Sequence, residues 1–212
     1  EVVEFPPVPL RSRNLLLINA RADQPVEIAA ESYQIGPTLG DIQWEAYDLT
    51  WEQLGSGTIP AGTPGSMSFE VAADGIYAIV MHAAGSSYTL LSANVPVGIV
   101  AKNTAIIGAA ERLYFSVPAG TETFSITGRS FGAETMRLNV YDPSGELVTT
   151  GQTTPAVEVM ALEVQPGEAV GDVWAVEIAR ADEGVLEDVR VSLGAGLPTI
   201  FALVPEHVFM KQ

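Results

Sequence analysis

Four short patterns of this sequence occur twice, in the same order and at a spacing of about 95 residues. The matching positions are Leu17 with Phe115, Tyr47-Asp48 with Tyr141-Asp142, Gly75 with Gly171, and Pro96 with Pro198. Solenoid repeats have periods of roughly 20–50 residues, so the longer spacing indicates the duplication of a whole small domain. At 212 residues, the chain is long enough for each half to bury its own core.

Strand signals dominate both halves. Runs rich in Val, Ile, Thr and aromatic residues are separated by Gly, Pro, Asp and Ser, which predicts β-strands. The predicted strands are 25–30, 42–48, 66–71, 75–82 and 88–91 in the first half, and 113–117, 123–127, 136–141, 156–164, 173–179 and 189–193 in the second. No stretch of 12 or more residues has the 3.6-residue apolar period of a helix.

Short strands separated by regularly spaced turns predict an all-β fold. With the duplication, we expect two tandem antiparallel β-sandwich domains of the jelly-roll or immunoglobulin-like kind. The three prolines near the start exclude a central strand there, which predicts an extended lead-in. The expected organisation is a lead-in at 1–9, a first domain at 10–100, a linker at 101–110, a second domain at 111–203 and a tail at 204–212.

Charge and cysteine content narrow the classes of partner. The formal net charge of −16 disfavours binding to nucleic acid or to anionic membrane surfaces. No apolar run approaches the ~20 residues of a transmembrane helix, so we expect no membrane insertion. The absence of cysteine excludes disulfides and thiolate chemistry. Because the chain starts at Glu1 without a signal peptide, we expect a processed protein or a domain of a larger one.

The second half carries a recognisable order of motifs. Tyr114-Phe115-Ser116-Val117-Pro118-Ala119-Gly120 comes first, then Val140-Tyr141-Asp142-Pro143-Ser144-Gly145, then a late strand with Trp174. In this order they resemble the bacterial pre-peptidase C-terminal (PPC-like) β-sandwich modules, over roughly 85 residues. The first half resembles them less closely, because its turn Leu49-Thr50-Trp51-Glu52 contains neither Pro nor Gly.

The resemblance implies a non-catalytic accessory module of an exported bacterial hydrolase, located outside the cell or at its surface. Such modules serve in targeting, in contact with polysaccharide or as spacers beside neighbouring domains. The shared motifs are turn and core residues, so they specify a fold and transfer no catalytic residue.

Histidines and carboxylates offer few catalytic arrangements. His82 and His207 lie in different halves, and no Gly-x-Ser-x-Gly motif is present. Glu45 with Asp48, or Glu187 with Asp188, have the residue types of a glycosidase pair. Glu45 alternates with apolar neighbours, however, and is expected on a solvated face.

One acidic cluster has the composition of a cation site. Asp182, Glu183, Glu187 and Asp188 surround Gly184, which lets the backbone turn sharply. Calcium prefers six to eight oxygen ligands, so these four carboxylates are the candidate for a calcium site. The alternative is a polar hairpin, because the spacing matches no known calcium loop.

Exposed aromatic rings decide whether a β-protein can bind sugars, because sugar rings stack on them. Strand parity predicts that Trp44 and Trp174 are buried in the core. Trp51 lies instead in the turn after Tyr47-Asp48 and is either a lid or an exposed platform. The predicted binding site is therefore Trp51 and Tyr47, with Glu45 and Gln43 as partners for sugar hydroxyls.

Three functions follow from these observations. The first is a non-catalytic module that binds polysaccharide, without a cofactor. The second is a structural spacer or protein-interaction domain without a small ligand. The third, a small polysaccharide hydrolase or lyase, is disfavoured because only 10 basic residues are present to neutralise a uronate.

Overall fold

A computed structural model describes residues 1–209 of the chain. It divides into two compact units, Glu1–Val100 and a second that begins at Ala101. Residues 210–212, which belong to the predicted tail, lie outside the described residues.

The first unit is built from antiparallel strands. They are β1 (Val3–Glu4), β2 (Leu10–Ala20), β3 (Val26–Tyr33), β4 (Ile42–Tyr47), β5 (Gln53–Ile59), β6 (Gly65–Phe69), β7 (Gly75–Ala93) and β8 (Val97–Val100). Within this unit β4 pairs with β5 and β7, β2 with β7 and β8, and β3 with β6 and β7. The short strand β1 pairs with the end of β7.

The second unit contains β9 (Thr104–Ile107), β10 (Ala110–Val117), β11 (Phe124–Arg129), β12 (Arg137–Tyr141), β13 (Leu147–Gln152), β14 (Val159–Val164), β15 (Asp172–Ala179), β16 (Asp188–Leu193) and β17 (Ile200–Ala202). A short 3-10 helix, Pro205–His207, follows. In this unit β10 pairs with β15 and β17, β11 with β14 and β16, and β12 with β13 and β15. Strand β9 pairs with β16.

The prediction of two tandem β-sandwich domains, jelly-roll or immunoglobulin-like, is wrong, although the all-β class is right. In the first unit, every strand is joined to β7, directly or through a neighbouring strand, in one hydrogen-bonded antiparallel sheet, whereas a sandwich consists of separate sheets packed face to face. In the first unit β7 gives the physical reason, because its 19 residues form a single strand. Its first half pairs with β2 and β4, and its last residues pair with β3.

The sequence suggests two strands, 75–82 and 88–91, where β7 is continuous. Gly85 lies between these two predicted strands and has φ 76°. Glycine reaches this left-handed conformation without strain, so the strand changes direction there without ending. A glycine inside a strand pattern often marks such a bend.

The same order of pairings occurs inside each unit. The β2–β7, β4–β5 and β4–β7 pairs of the first unit correspond to β10–β15, β12–β13 and β12–β15 in the second. Ile18 pairs with Tyr77 in the first unit, and Phe115 pairs with Trp174 in the second. The residue of the first unit that is equivalent to Phe115 is therefore Ile18. The match of Leu17 with Phe115 is therefore wrong by one residue.

Each unit has its own buried core. In the first, Trp44 is 7% exposed and stacks on Phe69 with ring centroids 6.0 Å apart. In the second, Trp174 is 2% exposed and meets the ring of Phe124 edge-on at 5.2 Å. The burial predicted for Trp44 and Trp174 from strand parity is thus confirmed.

The three segments predicted to lie outside the domains contain regular secondary structure. The predicted lead-in contains β1, an edge strand of the first unit. The predicted linker, 101–110, contains β9, which pairs with β16 inside the second unit. The predicted tail contains the 3-10 helix and the buried His207. Burial, partly offset by Glu206, lowers the pKa of His207 below its usual range.

Within residues 1–209, no helix combines the length and the apolar character that a membrane span requires.

A buried tyrosine makes the fold sensitive to alkaline pH. The Tyr88 hydroxyl is fully buried; it accepts a hydrogen bond from Asn14 Nδ2 at 2.8 Å and donates to the Met81 carbonyl at 3.4 Å. Burial raises the pKa of Tyr88 well above its usual value of 10.0, and the bond from Asn14 lowers it only in part. The native state therefore keeps this proton at pH values where the unfolded chain has lost it.

We expect the free energy of unfolding to fall as the pH rises above about 10, with Tyr88 contributing up to about 1.4 kcal/mol per pH unit. Urea titrations of wild type and Tyr88→Phe between pH 8 and 11 measure this contribution as the difference between the two proteins. At pH 8 the variant should lose only about 1 kcal/mol, because Asn14 keeps the Arg11 carbonyl as its acceptor. Equal pH slopes in both proteins would contradict the assignment.

Candidate functional site

A polar groove of about 380 Å³ lies on the outward face of the first unit. The strands β4, β5, β7 and β2 form it, because they pair side by side and point alternate residues to the core and to solvent. Its lining residues are Arg13, Gln43, Trp44, Glu45, Ser56, Gly57, Thr58, Val80 and His82.

Strand register brings the polar groups of the groove together. Gln43 faces Thr58 on one side and His82 on the other, and His82 faces Arg13. In the next row Glu45 lies between Ser56 and Val80. One row across four strands therefore carries the polar side chains of Thr58, Gln43, His82 and Arg13.

Gln43, Glu45 and Tyr47 point to this face from the single strand β4. The Gln43 side-chain oxygen accepts a hydrogen bond from Thr58 at 2.9 Å, which leaves its amide NH₂ as a donor. Loss of solvent contact is the main cause that raises the pKa of Tyr47 above its usual value, and the neighbouring Glu45 raises it further. The positive charge of Arg13 lowers this pKa in part.

The turn after β4 carries the exposed aromatic residue. Asp48 organises it: its carboxylate accepts hydrogen bonds from the backbone N–H groups of Thr50 and Glu52 at 2.8 and 2.9 Å. These bonds, together with the Thr50 hydroxyl, hold the pKa of Asp48 below its usual range. The Trp51 N–H closes the turn on the Asp48 carbonyl at 3.1 Å.

The second unit contains the same turn with different residues. Asp142 accepts from Ser144 N–H and Glu146 N–H, and the Gly145 N–H bonds to the Asp142 carbonyl. The Ser144 hydroxyl is the main cause that lowers the pKa of Asp142. The two turns thus share one pattern of backbone hydrogen bonds, although only the second contains the proline and glycine that predict such a turn from the sequence.

Trp51 occupies the position of Gly145 and has its left-handed backbone conformation. The φ angles are 66° for Trp51 and 86° for Gly145. For a residue with a Cβ this conformation costs roughly 1–2 kcal/mol. Trp51 is nevertheless 61% exposed, and its ring meets the ring of Tyr47 edge-on with centroids 5.4 Å apart. The first unit therefore combines a strained backbone with an exposed aromatic residue at this turn.

The corresponding face of the second unit is filled by its own side chains. Glu177 lies where Val80 lies in the first unit, and it accepts hydrogen bonds from Asn139 at 2.8 Å and from Tyr141 at 2.7 Å. Arg112 covers the Tyr141 ring at 4.4 Å. Val80 has an apolar side chain and cannot form the hydrogen bonds that Glu177 forms with its two neighbours. The polar side chains around Val80 therefore lack this central acceptor.

The structure brings together the four residues of the predicted binding site. Gln43 and Glu45 line the groove, Tyr47 lies in the next row of the same face, and Trp51 contacts Tyr47. The sequence did not indicate Arg13, Ser56, Thr58 or His82 as part of it. Their position depends on the pairing of β2, β5 and β7, which joins residues far apart in the chain.

The four carboxylates of the predicted calcium site do not form a ligand set. Asp182 forms an ion pair with Arg137 at 2.7 Å and accepts a hydrogen bond from Gln152 at 3.1 Å, and both interactions lower its pKa. Asp188 belongs to strand β16, while Glu183 belongs to the preceding loop. Among the described residues, no group of three or more histidine, aspartate or glutamate side chains is arranged to hold a metal ion.

No model of a known protein family matches the chain, and no curated protein matches its sequence. The resemblance of the second half to PPC-like modules therefore stays a prediction.

The two equivalent turn positions, Trp51 and Gly145, should respond differently to substitution in their free energy of unfolding. Gly145→Ala should lower the free energy of unfolding by about 1 kcal/mol, because an added Cβ meets only Arg112 Nη1 at 3.9 Å and the cost lies in the backbone. Trp51→Gly should change it by less than about 1 kcal/mol, because relief of strain offsets the lost contact with Tyr47. Urea unfolding of both variants measures the contrast. A loss well above 1 kcal/mol for Trp51→Gly would make Trp51 a structural residue.

Proposed function

We propose that this chain is a non-catalytic accessory module of an exported bacterial protein and that it binds polysaccharide on the first unit. Trp51 and Tyr47 are the aromatic contacts, and Glu45 and Gln43 bond to sugar hydroxyls. The observation that carries the proposal is the exposed Trp51 ring, held in a strained conformation at a turn where the second unit has glycine.

The chemistry of the groove fits a neutral or mixed sugar chain. Sugar hydroxyls both donate and accept hydrogen bonds, and the groove offers a carboxylate, an amide, a guanidinium and two hydroxyls in two adjacent rows. Apolar faces of sugar rings stack on aromatic side chains, and the indole of Trp51 has most of its surface free. An open groove on a sheet face also suits a linear polymer, which continues beyond the binding site at both ends.

A hydrolase is less well supported. Glycosidases need two carboxylates across the scissile bond, and Glu45 is the single carboxylate among the residues that line the groove. His82 is exposed on β7, where its neighbours across the sheet are Gln43 on β4 and Arg13 on β2. A secreted, extracellular location and neighbouring domains in a larger protein are part of the same proposal.

Affinity electrophoresis tests the proposal with gels that contain one soluble polysaccharide each. Wild type should be retarded in at least one gel, and Trp51→Gly should lose the retardation or show a dissociation constant about tenfold higher, which corresponds to about 1.4 kcal/mol. Trp51→Gly is preferred to alanine because it leaves the turn unstrained.

Leu49→Ala is the matched control, because Leu49 lies in the same turn and is 66% exposed. It should bind as wild type does, since it removes exposed apolar surface without the aromatic ring. If both variants lose retardation equally, the contact is non-specific. If no polysaccharide retards the folded wild type, a structural spacer or protein-interaction domain becomes the better account.

A further inference from the structure

Two arginines lie side by side on the outward face of the second unit. Arg129 on β11 is directly opposite Arg190 on β16 in the antiparallel ladder. Both guanidinium groups lie over the ring of Phe131, at 5.1 and 5.9 Å from its centroid. Phe131 is 36% exposed, so the three side chains form a small basic patch on the surface.

This arrangement is unfavourable unless something offsets it. Like charges directly opposite each other on adjacent strands destabilise a sheet. The chain has only 10 basic residues, so random placement rarely makes two of them cross-strand neighbours. Within residues 1–209, the interactions of both guanidinium groups are the cation–π contacts with Phe131, and neither forms an ion pair with a carboxylate.

The first unit shows that the fold does not require these arginines. Its matching ladder pairs Ile28 with Ala93 as the second unit pairs Ile126 with Leu193. The residues three and five positions after Ile28 are Glu31 and Tyr33, where the second unit has Arg129 and Phe131 after Ile126. Glu31 faces Thr89 and accepts a hydrogen bond from the Tyr33 hydroxyl at 3.0 Å. The two arginines are thus a feature of the second unit alone.

The nearby carboxylate of Glu158 is already used by the backbone. It accepts a hydrogen bond from the Gly132 N–H at 2.9 Å and so fixes the turn that carries Phe131. The ring in turn contacts both guanidinium groups, which reduces the side-chain entropy lost when a ligand binds. Two neighbouring guanidinium groups can present several N–H donors to one oxyanion.

We propose that Arg129, Arg190 and Phe131 form a binding site for an oxyanion carried by an acidic polysaccharide, a uronate carboxylate or a sulfate ester. The choice of a polysaccharide rests on the proposed function, and the site is separate from the groove beside Trp51. With a net charge of −16 the protein repels polyanions in general. Only a ligand that places its charges at a local basic site is retained, so the patch selects an acidic sugar chain by position.

Affinity electrophoresis with polygalacturonate, dextran sulfate or neutral dextran in the gel tests the site. The double variant Arg129→Gln/Arg190→Gln removes both guanidinium groups. The matched control Arg21→Gln/Arg180→Gln removes the same charge from two exposed arginines elsewhere. Mobility in each gel is divided by the mobility without polysaccharide, which corrects for the charge change.

Wild type and control should be retarded by at least one acidic polymer, and the Arg129/Arg190 variant should lose roughly tenfold to hundredfold in affinity. Polygalacturonate against dextran sulfate distinguishes carboxylate from sulfate. Equal losses in both double variants would mean general electrostatics and would overturn the site. Failure of both acidic polymers to retard wild type would also overturn it.

The two proposals fail separately. Loss of acidic binding in the Arg129/Arg190 variant, with unchanged binding in Trp51→Gly, would keep the oxyanion site and remove the aromatic one. The reverse pattern would keep the groove and overturn the oxyanion site. As a readout independent of any polymer, NMR titration with sodium galacturonate should shift the Arg129 and Arg190 side-chain N–H signals, and unshifted signals would contradict a carboxylate site.

Discussion

The ladder between β4 and β7 is the interaction on which the first unit depends. It directs Trp44 and Ala46 into the core, and it therefore directs Gln43, Glu45 and Tyr47 to the outer face. A slip of one residue would exchange the two sets and bury a carboxylate. One strand register thus fixes both the core residues and the groove residues of the first unit.

The two units use one backbone plan for two surfaces. The aspartate-centred turns have matching hydrogen bonds, yet one presents an indole ring and the other a glycine. On the sheet face, Glu177 bonds to Asn139 and Tyr141, whereas Val80 leaves Glu45 and its neighbours directed at solvent. On the other ladder, Arg129 stands where the first unit has Glu31. These differences lie at outward positions, which tolerate change that core positions do not.

Local patterns in the sequence predicted many of the strands, the burial of Trp44 and Trp174, and the turn that carries Trp51, because each depends on a pattern within a few residues. They missed other strands, among them β2, β5 and β13. The sandwich prediction failed because the continuity of β7 through Gly85 is not visible in a pattern of strands and breaks. Arg13 and His82 were missed for a related reason: they meet only when β2 pairs with β7. The calcium prediction relied on neighbours in sequence, and strand geometry directs Asp182 to Arg137 instead.

The central claim is that Trp51 is kept exposed to contact a sugar chain, and the indole N–H signals in a ¹H–¹⁵N spectrum test it most directly. Trp44 and Trp174 are buried, so their signals serve as internal references. On titration with a polysaccharide that retards the protein, we predict that the Trp51 signal shifts while the other two stay in place. A stationary Trp51 signal at saturating ligand would contradict the claim.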